Sequence, residues 1–170
     1  NANVFLAASC TNVALTGNVA REYERDFCKI QDSSQVVATG NVGEPGSVTV
    51  NYPMFGIQST NVDMADIQIT DNLSKGHGQG VAASGGAGKD LNRVSITGNV
   101  IHQALNASAG DAIQLVTSGE LNDAVVADNI LIDPDRHGIY VLADVTNLKI
   151  SGNTIRKTGT ASAYYGIYFN

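Results

Sequence analysis

Apolar and polar residues alternate along most of this chain in short bursts with a period of two. In Val94-Ser-Ile-Thr-Gly-Asn99-Val100, Val94 and Ile96 point one way while Ser95 and Thr97 point the other. That is the period of a half-buried strand and not of a helix. The phrase is written six times. The other copies are Val13-Ala-Leu-Thr-Gly-Asn18, Val36-Val-Ala-Thr-Gly-Asn41, Ile67-Gln-Ile-Thr-Asp-Asn72, Ala124-Val-Val-Ala-Asp-Asn129 and Leu148-Lys-Ile-Ser-Gly-Asn153. Successive asparagines are 23, 31, 27, 30 and 24 residues apart, intervals at which self-similarity means a solenoid of stacked units joined by loops of variable length.

A second alternating phrase lies between the first ones: Asp26-Phe-Cys-Lys-Ile30, Phe55-Gly-Ile-Gln58, Gln79-Gly-Val-Ala82, Asp111-Ala-Ile-Gln-Leu115, His137-Gly-Ile-Tyr-Val141 and Tyr165-Gly-Ile-Tyr-Phe169. Each unit therefore holds at least two short strands. Stacking equivalent strands gives parallel sheets with ladders of Ile, Val and Leu inside and polar residues outside. The expected fold is all-β, a parallel β-helix of about six to seven coils forming a single domain over residues 1–170. Asn18, Asn41, Asn72, Asn99, Asn129 and Asn153 each follow Gly or Asp. They are expected to form a ladder at one corner, where Asn and Gly accept left-handed backbone and stacked amides bond to one another.

Composition narrows the partners. The formal charge is −6 and only ten residues are Lys or Arg, whereas nucleic-acid binding depends on neutralising phosphates; no nucleic-acid partner is expected. No run of about 20 apolar residues is present, so no membrane insertion is expected either. Cys10 and Cys28 stand about one coil apart, with Cys28 at an inward position and read as a small buried residue. The chain opens and closes within strands, without the polar caps that a solenoid needs, and is expected to be an excerpt of a longer polypeptide or to be covered by partner chains.

Chemistry is sought on the loops that follow the asparagine corner. Aligning the second phrase on Cys28, Ile57, Val81, Ile113, Ile139 and Ile167 puts Asp26, Phe55, Gln79, Asp111, His137 and Tyr165 in one column two places earlier. Asp111 and His137 then become neighbours about 5 Å apart at the backbone. With Asp133, Asp135 and Arg136 on the loop leading in, they form the densest ionisable cluster of the sequence. A carboxylic acid held among carboxylates stays protonated nearer neutral pH and serves as general acid, and an Arg holds a uronate carboxylate. Asp111, Asp133, Asp135 and His137 are the candidate catalytic residues. One place after the reference residue, Gln114, Tyr140 and Tyr168 point outward, a mixture of amide and aromatic groups that suits sugars. They join Arg136 and the loop residue His77 as candidate substrate contacts. No acidic loop has a recognised metal-ligand spacing, and no metal or cofactor is expected.

These repeating I-x-G-N-x-I and G-I-x-V phrases resemble the right-handed parallel β-helix superfamily of pectate lyases, polygalacturonases, alginate epimerases and phage tailspikes. Asp135-Arg-His-Gly138 is similar to a stretch of alginate C5-epimerases. Ala109-Gly-Asp-Ala-Ile113, followed one coil later by His137-Gly-Ile, is similar to a polygalacturonase pattern with Gly110 in place of the first of its paired aspartates. The character closest to this chain is that of a tailspike or surface-polysaccharide depolymerase. That resemblance implies recognition and carboxylate-driven cleavage of a carbohydrate polymer, a homotrimer, and a place outside the cell or on a virion surface. A polyuronate lyase or C5-epimerase, and a non-catalytic glycan-binding or fibre module, are the alternatives.

Overall fold

The computed structural model describes residues 3–46, 52–102, 104, 110–157 and 165–170. Every described element is a strand and every pairing is parallel, giving a β-solenoid of about five turns. The six asparagines bound five whole turns, and the partial turns beyond Asn18 and Asn153 account for the slightly higher expected coil count.

Each turn contributes three strands. The first ladder stacks β1 (Phe5–Ala8), β4 (Cys28–Gln31), β7 (Pro53–Ser59), β10 (Gln79–Gly85), the start of β13 (Ile113–Asn122), β16 (Ile139–Thr146) and β19 (Ile167–Phe169). The second stacks β2 (Thr11–Thr16), β5 (Ser34–Thr39), β8 (Met64–Thr70), β11 (Leu91–Thr97), β14 (Val125–Ala127) and β17 (Lys149–Ser151). The long strand β13 runs from the first ladder into the second, so the two form one 13-stranded sheet. The third ladder is a separate sheet of β3 (Val19–Arg21), β6 (Val42–Glu44), β9 (Leu73–Lys75), β12 (Val100–His102), β15 (Ile130–Ile132) and β18 (Thr154–Arg156).

The inward half of the alternating pattern makes the core. Val13, Val36, Ile67 and Val94 stack in register, as do Leu15, Ala38, Ile69, Ile96, Val126 and Ile150. The middle rungs are sealed, with Ile67, Ile69 and Ile96 at 0% exposure; burying each such side chain is worth about 1.5–3 kcal/mol.

The asparagine ladder is present as expected, with one difference of detail. The left-handed residue of each corner is the one before the asparagine: Gly17, Gly40, Asp71, Gly98, Asp128 and Gly152, with φ between 54° and 66°. This reversal turns the asparagine inward. From Asn41 to Asn129, each Nδ2 donates to the Oδ1 of the next rung and to a strand carbonyl of the rung below, and its own Oδ1 accepts the backbone N–H and Nδ2 of the rung below. A buried polar column survives because it is satisfied at every step.

Candidate functional site

Strand pairing fixes which residues share a column. Phe5, Cys28, Phe55, Val81, Ile113, Ile139 and Ile167 are in register, so the reference residue of the third rung is Phe55 and not Ile57. Ile57 stacks with Ile30 and Ala83 instead. The column two places earlier accordingly runs Asp26, Pro53, Gln79, Asp111, His137 and Tyr165, with Pro53 where Phe55 was expected. A shift of two residues keeps every side chain on its own face. In the observed frame Gly56 takes the outward position next to Asp26, where a Cβ would stand 3.4 Å from the Asp26 carboxylate and 3.3 Å from Pro53.

Asp111 and His137 are neighbours in this column, as the repeat predicts. The backbone N–H of His137 donates to Asp111 Oδ1 at 3.0 Å. The Arg136 guanidinium lies 3.7 Å from the same oxygen. Backbone bonds from Arg136 to Gly110 and from Ala112 to His137 lock the two rungs together. Asp111 is completely buried, and its Oδ2 has no hydrogen-bond partner among the described residues. Burial pushes the Asp111 carboxyl up from its ordinary value, against the opposing pull of the His137 amide, Arg136 and the His137 ring. His137 is pushed down by burial, partly offset by Asp111, and its Nδ1 accepts the backbone N–H of Tyr165 at 3.2 Å.

Around His137 the first ladder carries a cluster of near-parallel rings. The His137 ring stacks on Tyr168 at 4.9 Å and 9°, and Tyr140 stacks on Tyr168 at 5.7 Å and 21°. Tyr165 lies 5.4 Å from Tyr168 at 23°, and its side chain is well exposed. Gln114, Tyr140 and Tyr168 occupy successive outward rungs. Gln114 bonds to the Gln79 amide, and the Arg136 guanidinium sits 5.5 Å above the Tyr140 ring. The structure thus brings together Asp111, Arg136, His137, Gln114, Tyr140 and Tyr168, and adds Tyr165.

The other candidates fall differently. Asp133 holds a left-handed backbone at φ 52° and donates its N–H to Arg156. The Asp135 N–H donates to Ala104, while its carbonyl and that of Pro134 accept Lys157 Nζ at 3.0 and 2.8 Å. Both acids are half-buried on the segment that closes a cleft of about 190 Å³ between Arg136, Lys157, Ile155 and Tyr165. His77, expected among the substrate contacts, is 1% exposed. Its Nε2 bonds to the Tyr23 hydroxyl and its Nδ1 to Ser74 Oγ at 2.9 Å, and burial lowers it to about 3. Its place in this structure is inside the coil stack, away from any outer surface.

Two features were not legible as site residues. Gly43 has no side chain between Tyr23 and His77, which lets a tyrosine of the first turn reach a histidine two rungs away; a Cβ there would stand 3.0 Å from His77 Cε1. Asp26 is the counterpart of Asp111 in the same column, 6% exposed with Oδ1 unpartnered among the described residues. Burial raises it to about 6 against the pull of Arg25 and Lys29. Its appearance in the column was the available signal. Cys10 and Cys28 are both free thiols, Cys28 buried and pushed up to about 12 by burial and by Asp26.

Among the described residues no group of three or more His, Cys, Asp or Glu is placed to hold a metal ion, and no helix is long and apolar enough to cross a membrane. In comparisons with known proteins, no family model, no curated sequence and no solved structure matches the chain.

Proposed function

We propose that the chain recognises a polysaccharide on the outer face of its first ladder, with Tyr140, Tyr165 and Tyr168 as a stacking platform and Gln114 and Arg136 as its polar contacts. The observation that carries this reading is the near-parallel alignment of Tyr140, Tyr165 and Tyr168 on adjacent rungs. Sugar rings lay their C–H faces on aromatic rings, and a rung spacing of about 4.8 Å is close to the length of one sugar unit. The setting we propose is a tailspike-type surface protein, homotrimeric and outside the cell or on a virion. This part rests on the character of the repeat. Affinity electrophoresis through gels containing individual bacterial surface polysaccharides tests the platform. At least one polymer should retard the wild type and leave the Tyr140→Ala/Tyr168→Ala protein unretarded; equal mobility of the two in every gel removes the platform.

Cleavage at the same place is a second reading, favoured by one observation: a buried carboxyl raised by its surroundings, with an oxygen, Asp111 Oδ2, that has no hydrogen-bond partner among the described residues. Such a group is suited to general-acid work. Asp133 or Asp135 would supply the second carboxylate and His137 would orient the chain. In the lyase or epimerase variant, Arg136 neutralises a uronate and His137 is the base. Incubating the bound polysaccharide with wild type and Asp111→Asn separates these outcomes. New reducing ends that vanish in the variant mean hydrolysis, unsaturated ends mean lyase action, an unchanged polymer means recognition alone, and equal product from both proteins removes Asp111 from the chemistry.

A further inference from the structure

The second ladder carries a concavity that the tyrosine platform and the buried acids do not use. Asn12, Gln35 and Asp66 stand on successive rungs, between paired neighbours in each strand. All three hold left-handed backbone, with φ of 57°, 55° and 59°. Arg93, Asp123 and Asn147 continue the column at 52°, 52° and 58°. This line of bends throws the side chains outward and leaves a groove of about 490 Å³, floored by Ala14 and Val37 and walled by Asn12, Gln35, Asp66 and Gln68.

Three observations give the groove its chemistry. The amides of Asn12, Gln35 and Gln68 are exposed and make no hydrogen bond to the described residues, so each offers a donor and an acceptor. Asp66 is engaged by Arg93 in a bidentate pair at 2.6 and 3.0 Å, which cancels the charge of both at the groove wall. Gln35, like Arg93 two rungs on, holds left-handed backbone without the local side-chain bonds that favour Asn and Asp there; the stacked strands on either side impose the bend, so the Gln35 amide is held at the groove wall by the fold.

We infer that this groove is a second carbohydrate site, taking a neutral oligosaccharide of two or three units. Paired amides match sugar hydroxyls, which both donate and accept. The small floor residues admit a ring closely, and three rungs span about 10 Å. An anionic polymer is disfavoured by the chain's net charge of −6 and by a guanidinium already neutralised. A peptide is disfavoured because a sheet face, with its backbone bonds spent within the ladder, offers no strand edge to extend. The inference is independent of the tyrosine platform.

The test follows side-chain amide signals by ¹H–¹⁵N NMR during titration with maltotriose, cellotriose and tri-N-acetylchitotriose, with trigalacturonate as the acidic comparison. A neutral trisaccharide should shift the Asn12, Gln35 and Gln68 signals saturably. Gln35→Gly removes one amide and relieves the left-handed strain. It should melt no lower than wild type and bind about tenfold more weakly, as expected for the loss of one or two hydrogen bonds. The groove is overturned if no neutral probe moves these signals at millimolar concentration, if trigalacturonate is preferred, or if Gln35→Gly binds as well as wild type. Shifts confined to the backbone amides of Tyr140 and Tyr168, seen in the same ¹H–¹⁵N spectra, overturn the groove and leave the platform standing.

Discussion

Replacing Asn99 with alanine removes the most heavily used side chain of the ladder. Asn99 is 1% exposed. Its Oδ1 accepts the backbone N–H and the Nδ2 of Asn72, both at 3.0 Å. Its Nδ2 donates to the carbonyls of Ile69 and Thr97 at 2.8 and 3.1 Å and to Asn129 Oδ1 at 3.0 Å. After truncation Asn72 Nδ2 still reaches Ala38 and Asn129 Oδ1 still accepts the Asn99 N–H, but the buried Asn72 N–H loses its acceptor. An orphaned buried donor costs about 1–3 kcal/mol and each of the four other lost bonds about 1 kcal/mol, so the expected loss is about 5–7 kcal/mol. Asn18, at the end of the column and half-exposed, donates only to Thr16 and Asn41 through its amide; water replaces what alanine removes, and the expected loss is about 1 kcal/mol. Urea unfolding followed by far-ultraviolet circular dichroism measures both by linear extrapolation. Equal losses at the two positions, or a loss at Asn99 below about 1.5 kcal/mol, would refute the cooperative ladder.

Asp26 gives a pH signature. Its folded carboxyl is raised to about 6, above an unfolded value of about 3.9, so the unfolded chain releases its proton first and stability falls as pH rises from about 4 to about 6. At about 1.4 kcal/mol per pKa unit, Asp26→Asn should be more stable than wild type above pH 6, by up to about 3 kcal/mol. The two proteins should converge near pH 4, as urea titrations across that range will report. His77 has the opposite sign. It is lowered to about 3, so the unfolded chain takes up its proton first as pH falls below about 6.5, and His77→Gln should flatten the loss of stability between those values. Gly43→Ala should cost about 1–3 kcal/mol by overpacking, because its methyl would meet His77, Met54 and the Tyr23 hydroxyl; the tyrosine fluorescence of the folded state should change with it.

Much of the fold was legible because the signal is periodic and repeated. Alternation defines the inner face, and the Gly-Asn or Asp-Asn pair marks the corner, so the stacked turns and the ladder follow from spacing, although the six to seven coils expected exceed the about five that form. The Phe55 frame was not legible, because sliding a strand by two residues preserves its alternation and keeps every side chain on its own face. The juxtaposition of Asp111 and His137 was legible, since it needs only the column. The burial of His77 was not, because it depends on Tyr23 crossing two rungs over the vacant side of Gly43, a contact with no local sequence mark. The left-handed column from Asn12 to Asn147 was hidden for a different reason: its residues are Asn, Gln, Asp, Arg, Asp and Asn, a set with no shared turn chemistry, held in that conformation by the stacked strands on either side.

Recognition of a polysaccharide by the tyrosine platform is the central functional claim, and site-resolved aromatic ¹H–¹³C NMR tests it most directly. On addition of a polysaccharide that retards the protein in affinity gels, the ring signals of Tyr140, Tyr165 and Tyr168 should shift together. Tyr23, bonded to His77 inside the stack, should stay in place. Shifts at Tyr52 alone, or retardation with all three platform rings unmoved, would contradict the account.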